Sequence, residues 1–173
     1  MRITHTTQRH VPALARLMTG SPLLQRYGMT LGRARSSLLA ALRARDQLVV
    51  ALEDGEPLGL AWVITTRALD HAAYLRLLLV AEGQRSHGLG AALLADAERR
   101  ARASGCRHLV LLVTTANRRA RTFYARHGYR HVGNLPGFVR PAIGESLYVK
   151  SWTATPATAG VRARVSSRRR RSS

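Results

Sequence analysis

The run HLVLLVTT, residues 108–115, constrains this chain more than any other stretch. A strand with one wet face alternates apolar and polar residues, whereas this one is apolar almost throughout. Both its faces need cover, which calls for a sheet with helices packed on it. The neighbouring segments can supply both. Met1 to Thr6 alternates as a short strand. Thr6 or Thr7 can cap a helix carrying Val11, Leu14, Leu17 and Met18. A second helical region holds SPLLQRYG and then Thr30 to Arg45, with Leu31, Ala34, Leu38 and Leu42 at helical spacing. QLVVALE, the Asp54-Gly55 turn and PLGLAWVIT read as a β-hairpin. YLRLLLV (74–80) is the fourth strand, and Leu89, Leu93, Ala97 and Ala101 stripe a helix that ends near Gly105. Asn117 caps a helix through His127 that Gly128 stops, and YRHVG and ESLYVKSW form two last strands. The order β-α-α-β-β-β-α-β-α-β-β predicts one mixed α/β domain.

Composition narrows the classes. At 173 residues and 46% hydrophobic content, the chain can bury one ordinary core. It has no apolar run of roughly 18 residues, so no membrane span is expected. MRITHTTQRH has no apolar signal core. The single cysteine, Cys106, excludes an internal disulfide framework, and the cytoplasm is the expected compartment. Cys106 lies in an apolar strand context with no activating neighbour, which reads as a structural thiol. The formal charge is +19, and all but one of the 28 basic residues are arginine, Lys150 being the exception. Six arginines fall in residues 153–173, a tail poor in large apolar side chains and expected to be disordered. The remaining basic residues are scattered, as a coding bias would leave them.

The stretch QRSHGLGAALL (84–94) sits between a strand and a helix. Such a turn presents unpaired N–H groups and a partial positive charge, and its glycines admit a ligand close to the backbone. The same glycines could simply make the turn. A P-loop is excluded because no Gly-Lys-Ser/Thr occurs. A dinucleotide turn is disfavoured because Leu93 stands where the third glycine belongs, and the next strand ends in Val113-Thr114-Thr115 without a carboxylate. Downstream, NRRARTFYARHGY sets Asn117, Ala120 and Tyr124 on nearly one helix face.

Together the two segments resemble the GNAT superfamily of N-acetyltransferases. Its acetyl-CoA loop, Gln/Arg-x-x-Gly-x-Gly/Ala, is matched by Arg85, Gly88 and Gly90. Its later segment, Asn-x-x-Ala-x-x-Phe-Tyr-x-x-x-Gly-Phe/Tyr, is matched by Asn117, Ala120, Phe123, Tyr124, Gly128 and Tyr129. The resemblance covers residues 1–152. It implies a single α/β domain with a mixed, mostly antiparallel sheet whose central strands four and five splay apart to admit acetyl-CoA. By the same resemblance, backbone groups of Leu78, Leu79 and Val80 would bond the pantetheine arm. The backbone of Arg85, Ser86, His87, Gly88, Leu89, Gly90 and Ala91 would hold the pyrophosphate. Asn117 would touch the cofactor, and Tyr124 would protonate the departing thiolate. The nucleophile would be the acceptor's amine, with no metal required.

Where some relatives carry a strand carboxylate as general base, this chain has Arg76 and Leu112. Glu145 is the remaining acidic candidate, with His127, His131 or a water chain as alternatives. A non-catalytic CoA-binding module is therefore the second reading. Polyanion or nucleic-acid binding ranks third, since aromatics for base stacking are few and no nucleic-acid module is recognisable. The acceptor is an unidentified amine, and the basic body argues against a polycation. Residues 8–45 and 133–145 are expected to line the acceptor side, with Tyr27, Met29, Trp62 and Phe138 as candidates. A homodimer is compatible with the sequence.

Overall fold

A computed structural model describes residues 1–65, 69–70, 72–84 and 87–152. The expected tail at 153–173, together with Arg85 and Ser86, lies outside the described residues. Seven strands form one sheet: β1 (Arg2–His5), β2 (Gln47–Glu53), β3 (Glu56–Thr65), β4 (Ala72–Val80), β5 (His108–Thr114), β6 (Arg130–Arg140) and β7 (Ile143–Ser151). Their spatial order is β1-β2-β3-β4-β5-β7-β6. Every neighbouring pair is antiparallel except β4 and β5, which run parallel. Parallel neighbours need a crossover. Here it is α4 (Leu89–Ala103), the helix whose stripe the sequence displays.

The N-terminal region is more broken than its periodicity predicts. A 3-10 turn, Gln8–His10, leads into α1 (Val11–Thr19), followed by the short α2 (Pro22–Arg26) and then α3 (Leu31–Arg43). Ser21 and Thr30 cap α2 and α3 with their hydroxyls, accepting from the backbone N–H of Leu24 and Arg33.

Core residues divide by face. Val49, Ala51, Ala61 and Val63 pack with Leu89, Leu93, Leu94 and Ala97 of α4. The alternate residues Leu48, Val50, Leu60 and Trp62 pack with Leu14, Met18 and Leu38 of α1 and α3. The central hairpin is therefore apolar on both faces. β5 meets the same expectation only in part. Leu109, Leu111 and Val113 are buried, whereas Val110 and Leu112 on its other face are half-buried.

β4 departs from simple alternation for a visible reason. Trp62 pairs with Leu77 and Val63 with Leu75, so Arg76 is an extra residue, a β-bulge. The bulge reverses which side chains face which layer. Before it, Ala73 and Leu75 face α4; after it, Leu77 and Leu79 face α1 and α3. Leu78 and Val80 pack on the α4 side, so both faces are covered and YLRLLLV is apolar at four consecutive positions, 77–80. Parallel pairing with β5 runs from Ala72↔His108 to Leu75↔Leu111 and stops there. Strands four and five splay beyond that point, as the resemblance implied.

The last hairpin is longer than the segments YRHVG and ESLYVKSW suggest. β6 runs through Asn134, Pro136 and Gly137 to Arg140. As the outermost strand it can tolerate proline, and its register breaks between Pro136 and Arg140. Phe138, a candidate for the acceptor side, is 66% exposed.

Gly59 shows how tightly α4 is pressed on the sheet. A Cβ there would lie 2.7 Å from Leu93 Cδ1 and 2.9 Å from the Leu79 carbonyl oxygen, which is backbone and cannot turn aside. Overpacking of this kind costs about 1–3 kcal/mol. Gly59→Ala should lower the denaturant midpoint accordingly, with the slope of the transition unchanged.

Candidate active site

Beyond Leu75, the edge of β4 that would face β5 carries backbone N–H and C=O groups with no strand partner. Opposite this edge, β5 stays paired with β7 on its other side as far as Thr114↔Glu145. Two cavities occupy the opening. The first, about 660 Å³, is lined by Leu78, Leu79 and Val80 of β4, by Gly88, Gly90 and Ala91 at the start of α4, and by Asn117, Ala120, Phe123 and Tyr124 of α5 (Arg118–Arg126) and its cap. The second, about 650 Å³, is lined by Tyr27, Trp62, Tyr74, Arg76, Leu112, Thr114 and Glu145, among others. Leu23, Leu78, Asn117, Ala120 and Tyr124 line both. The two cavities therefore meet at Tyr124.

Of the residues expected at the site, all but Arg85 and Ser86 are described. Gly88 is the N-cap of α4 and adopts φ +78°, a conformation glycine enters without strain. The Ala92 N–H is the first in this helix to bond back, to the Gly88 carbonyl at 3.0 Å. The N–H groups of Leu89, Gly90 and Ala91 thus belong to the open first turn. A Cβ on Gly90 would meet Phe123 and Val80 at an ordinary 3.7 Å, so packing within the protein does not demand a glycine there. The Leu89 side chain is buried in the core, leaving only its backbone to face the turn. His87 is exposed beside the turn. Arg119 and Arg126 add positive charge to the wall of the first cavity.

Asn117 serves the helix directly. Its Oδ1 accepts from the Ala120 N–H at 3.1 Å, capping α5. That contact leaves its amide NH₂ as a donor toward the cavities. Tyr124 is 8% exposed. Edge-to-face contacts with Phe123 and Tyr129, at centroid separations of 5.2 and 5.4 Å, fix its ring. Burial pushes its phenol well above the ordinary value of 10, and the nearby Tyr74 adds to this. At neutral pH Tyr124 is a protonated donor. Among the described residues, no hydrogen bond occupies its hydroxyl.

Glu145 lies within β7 and is 2% exposed. The Tyr27 hydroxyl donates to Glu145 Oε1. The Thr114 hydroxyl, 2.7 Å from Tyr27 Oη, is then left to donate to it. Burial, followed by the bond to Glu145, raises the Tyr27 phenol to about 12. The other proposed bases sit elsewhere. The His127 ring contacts the Phe123 carbonyl through Nδ1 at 2.8 Å on the wall of the first cavity, and His131 contacts Asn134 on β6 at 3.1 Å. Among the described residues, no group of three metal-ligating side chains exists.

The sequence pattern of the Acetyltransferase (GNAT) family matches residues 19–129. The chain belongs to this acetyltransferase family. Its fold is shared with solved relatives. Ribosomal-protein-alanine N-acetyltransferase from Brucella melitensis superposes with a TM-score of 0.73 at 21% identity, covering 88% of this chain and 100% of that one. An acetyltransferase from Thermus thermophilus gives 0.69 at 26% identity, covering 87% and 96%. An aminoglycoside 6'-N-acetyltransferase solved with coenzyme A gives 0.72 at 16% identity, covering 87% and 97%. No curated protein matches the chain.

Sequence reasoning about this GNAT chain placed Tyr27, Met29 and Trp62 on the acceptor side, and all three line the second cavity. It missed Tyr74 and Thr114 there; Arg33 and Arg140 fall within the expected segments 8–45 and 133–145 but were not singled out. It also missed the partnership of Tyr27 with Glu145, which joins residues 118 positions apart. Among the described residues, no helix is long and apolar enough to cross a membrane.

The raised Tyr27 phenol makes a testable link to stability. An unfolded tyrosine ionises near 10, while the folded one holds its proton to about 12. Between these values the unfolded chain binds fewer protons than the folded one, so stability falls as pH rises. The wild type should lose stability from pH 10 to 12 more steeply than Tyr27→Phe, as measured by denaturant titrations at fixed pH. Parallel profiles would remove Tyr27 as the source.

Proposed function

We propose that the protein transfers an acetyl group from acetyl-CoA directly to a primary amine. The observation that carries this reading is the opening between β4 and β5. It joins a cavity suited to a pantetheine and pyrophosphate with a second cavity suited to an acceptor, and Tyr124 stands at their junction. The residues fit the cofactor. An unpaired strand edge from Leu78 to Val80 can bond a pantetheine amide as an added strand would. The open first turn of α4, led by Gly88 and Gly90, suits a pyrophosphate, and Arg85 and Ser86 complete that loop in sequence. The Asn117 amide adds a donor at the mouth of α5.

When bound, acetyl-CoA supplies a thioester as acyl donor. The chain's part is then orientation and proton movement. The acceptor's nitrogen gains the acetyl carbon as the carbon–sulfur bond breaks, with both groups held at the junction so that reaction needs no further encounter. Tyr124 Oη gives its proton to the thiolate; the phenol is protonated at neutral pH, so the proton is in place when the carbon–sulfur bond breaks. Glu145 takes up the amine's proton, with the Tyr27 hydroxyl as its hydrogen-bonded relay. Both residues line the acceptor cavity. The acceptor is an amine of a small molecule or of a protein.

Calorimetric titration with acetyl-CoA, followed by mass spectrometry of an amine panel, tests the proposal. Binding together with an acetylated product is expected. Binding without any product would leave a CoA-binding module, and no binding would remove the proposal altogether. Tyr124→Phe should lower turnover by about 10²-fold, the usual scale for a lost general acid, while cofactor affinity stays close to wild type. Unchanged turnover would show that the thiolate is protonated elsewhere.

A further inference from the structure

Among the described residues, the acceptor cavity carries three arginines, Arg33, Arg76 and Arg140, and a single acid, Glu145, whose Oε1 already accepts from Tyr27. Among the described residues, none of the three arginines is in an ion pair. Two of them converge. Arg33 Nη1 donates to the Gly28 carbonyl at 3.1 Å, and Arg140 Nη2 donates to the Tyr27 carbonyl at 2.5 Å. Their guanidinium nitrogens lie 3.3 and 3.0 Å from the point a Cβ on Gly28 would occupy. Two cations are thus drawn to one turn, from α3 and from the end of β6. Each uses one of its five donors on a carbonyl there, leaving the others unspent. The third, Arg76, is the bulge residue of β4 and lies over the Trp62 ring at 5.1 Å.

Closing the turn after α2 would not require two guanidiniums. Like charges held together without an acid between them repel, and an anion bridging them relieves that repulsion through charge-assisted bonds. Extending the acetyl-transfer reading, on which it rests, we infer that the acceptor is a small primary amine that also carries an anionic group, a carboxylate or a phosphate. Arg33 and Arg140 grip that group, while the amine points toward Glu145 and Tyr124. A cavity of about 650 Å³ suits such a molecule. Polyamines and polycationic acceptors meet repulsion from the same arginines.

Matched pairs test this. α-Amino acids are compared with their amides, which isolates a carboxylate, and O-phosphoethanolamine with ethanolamine, which isolates a phosphate. In at least one series, kcat/KM should favour the anionic member by roughly tenfold or more, the scale of a charge-assisted hydrogen bond. Arg33→Gln and Arg140→Lys should each shrink that ratio, with melting midpoints confirming that the variants fold. A purely structural role would lower both members of a pair alike and leave the ratio intact. Equal or better use of the neutral members in both series would overturn the inference while leaving acetyl transfer standing. If no amine is acetylated, the same pairs are titrated onto the CoA-saturated protein. Tighter binding of the anionic members, lost in Arg33→Gln, would sustain the anion site although transfer had failed. Indistinguishable binding would overturn it.

Discussion

The bulge at Arg76 is the constraint from which the site follows. One extra residue in β4 bends the strand and swaps the faces of the residues after it. It comes immediately after the last pair that β4 makes with β5, Leu75↔Leu111. From there β4 keeps its pairing with β3 while β5 keeps its pairing with β7. Neither strand could stay in the sheet and also close the gap. The result is a row of unsatisfied backbone groups in the middle of a sheet, a position where proteins rarely leave them unpaired. A ligand that supplies its own amides can satisfy that row.

Helix α5 then turns an opening into a site. Its cap, Asn117, and its residues Ala120 and Tyr124 reach both cavities, because spacings of three, four and seven bring side chains onto one face. Asn117 fixes where the helix begins and still has a free amide. Tyr124 is clamped by Phe123 on one side and Tyr129 on the other, so the donor is held by the core rather than by a loop. Burial that keeps the phenol protonated is the same burial that packs it.

What was legible in the sequence is what local spacing controls. The two glycines of the α4 turn, the Asn117 cap, the α4 stripe and the central hairpin all depend on neighbours a few residues away. The bulge was not legible, since three leucines after Arg76 look like any buried strand. The β6 extension was hidden by Pro136 and Gly137, which elsewhere would end a strand but are tolerated at an edge. Glu145 stood in the sequence as a candidate base, but nothing nearby announced that Tyr27 and Thr114 would enclose it. Those contacts span 118 and 87 residues and arise only once α2 is laid over the end of the sheet.

Charge gives the clearest case of position outweighing number. A chain with 28 basic residues, nearly all arginine, says little through its total, because most such side chains are interchangeable solvated groups. Asp96 shows how an ordinary arginine is used, bridging Arg99 and Arg100 on the outer turns of α4. Lys150 shows another use, held by Glu98 beneath Tyr129. Arg33 and Arg140 follow neither pattern. They are brought together from elements more than a hundred residues apart, at a turn that offers carbonyls but no carboxylate. The nearest acid in the same cavity is turned to a tyrosine. A cavity with arginines at one end and one committed carboxylate at the other has polarity as well as shape, and the polarity comes from where these few side chains stand rather than from the total charge.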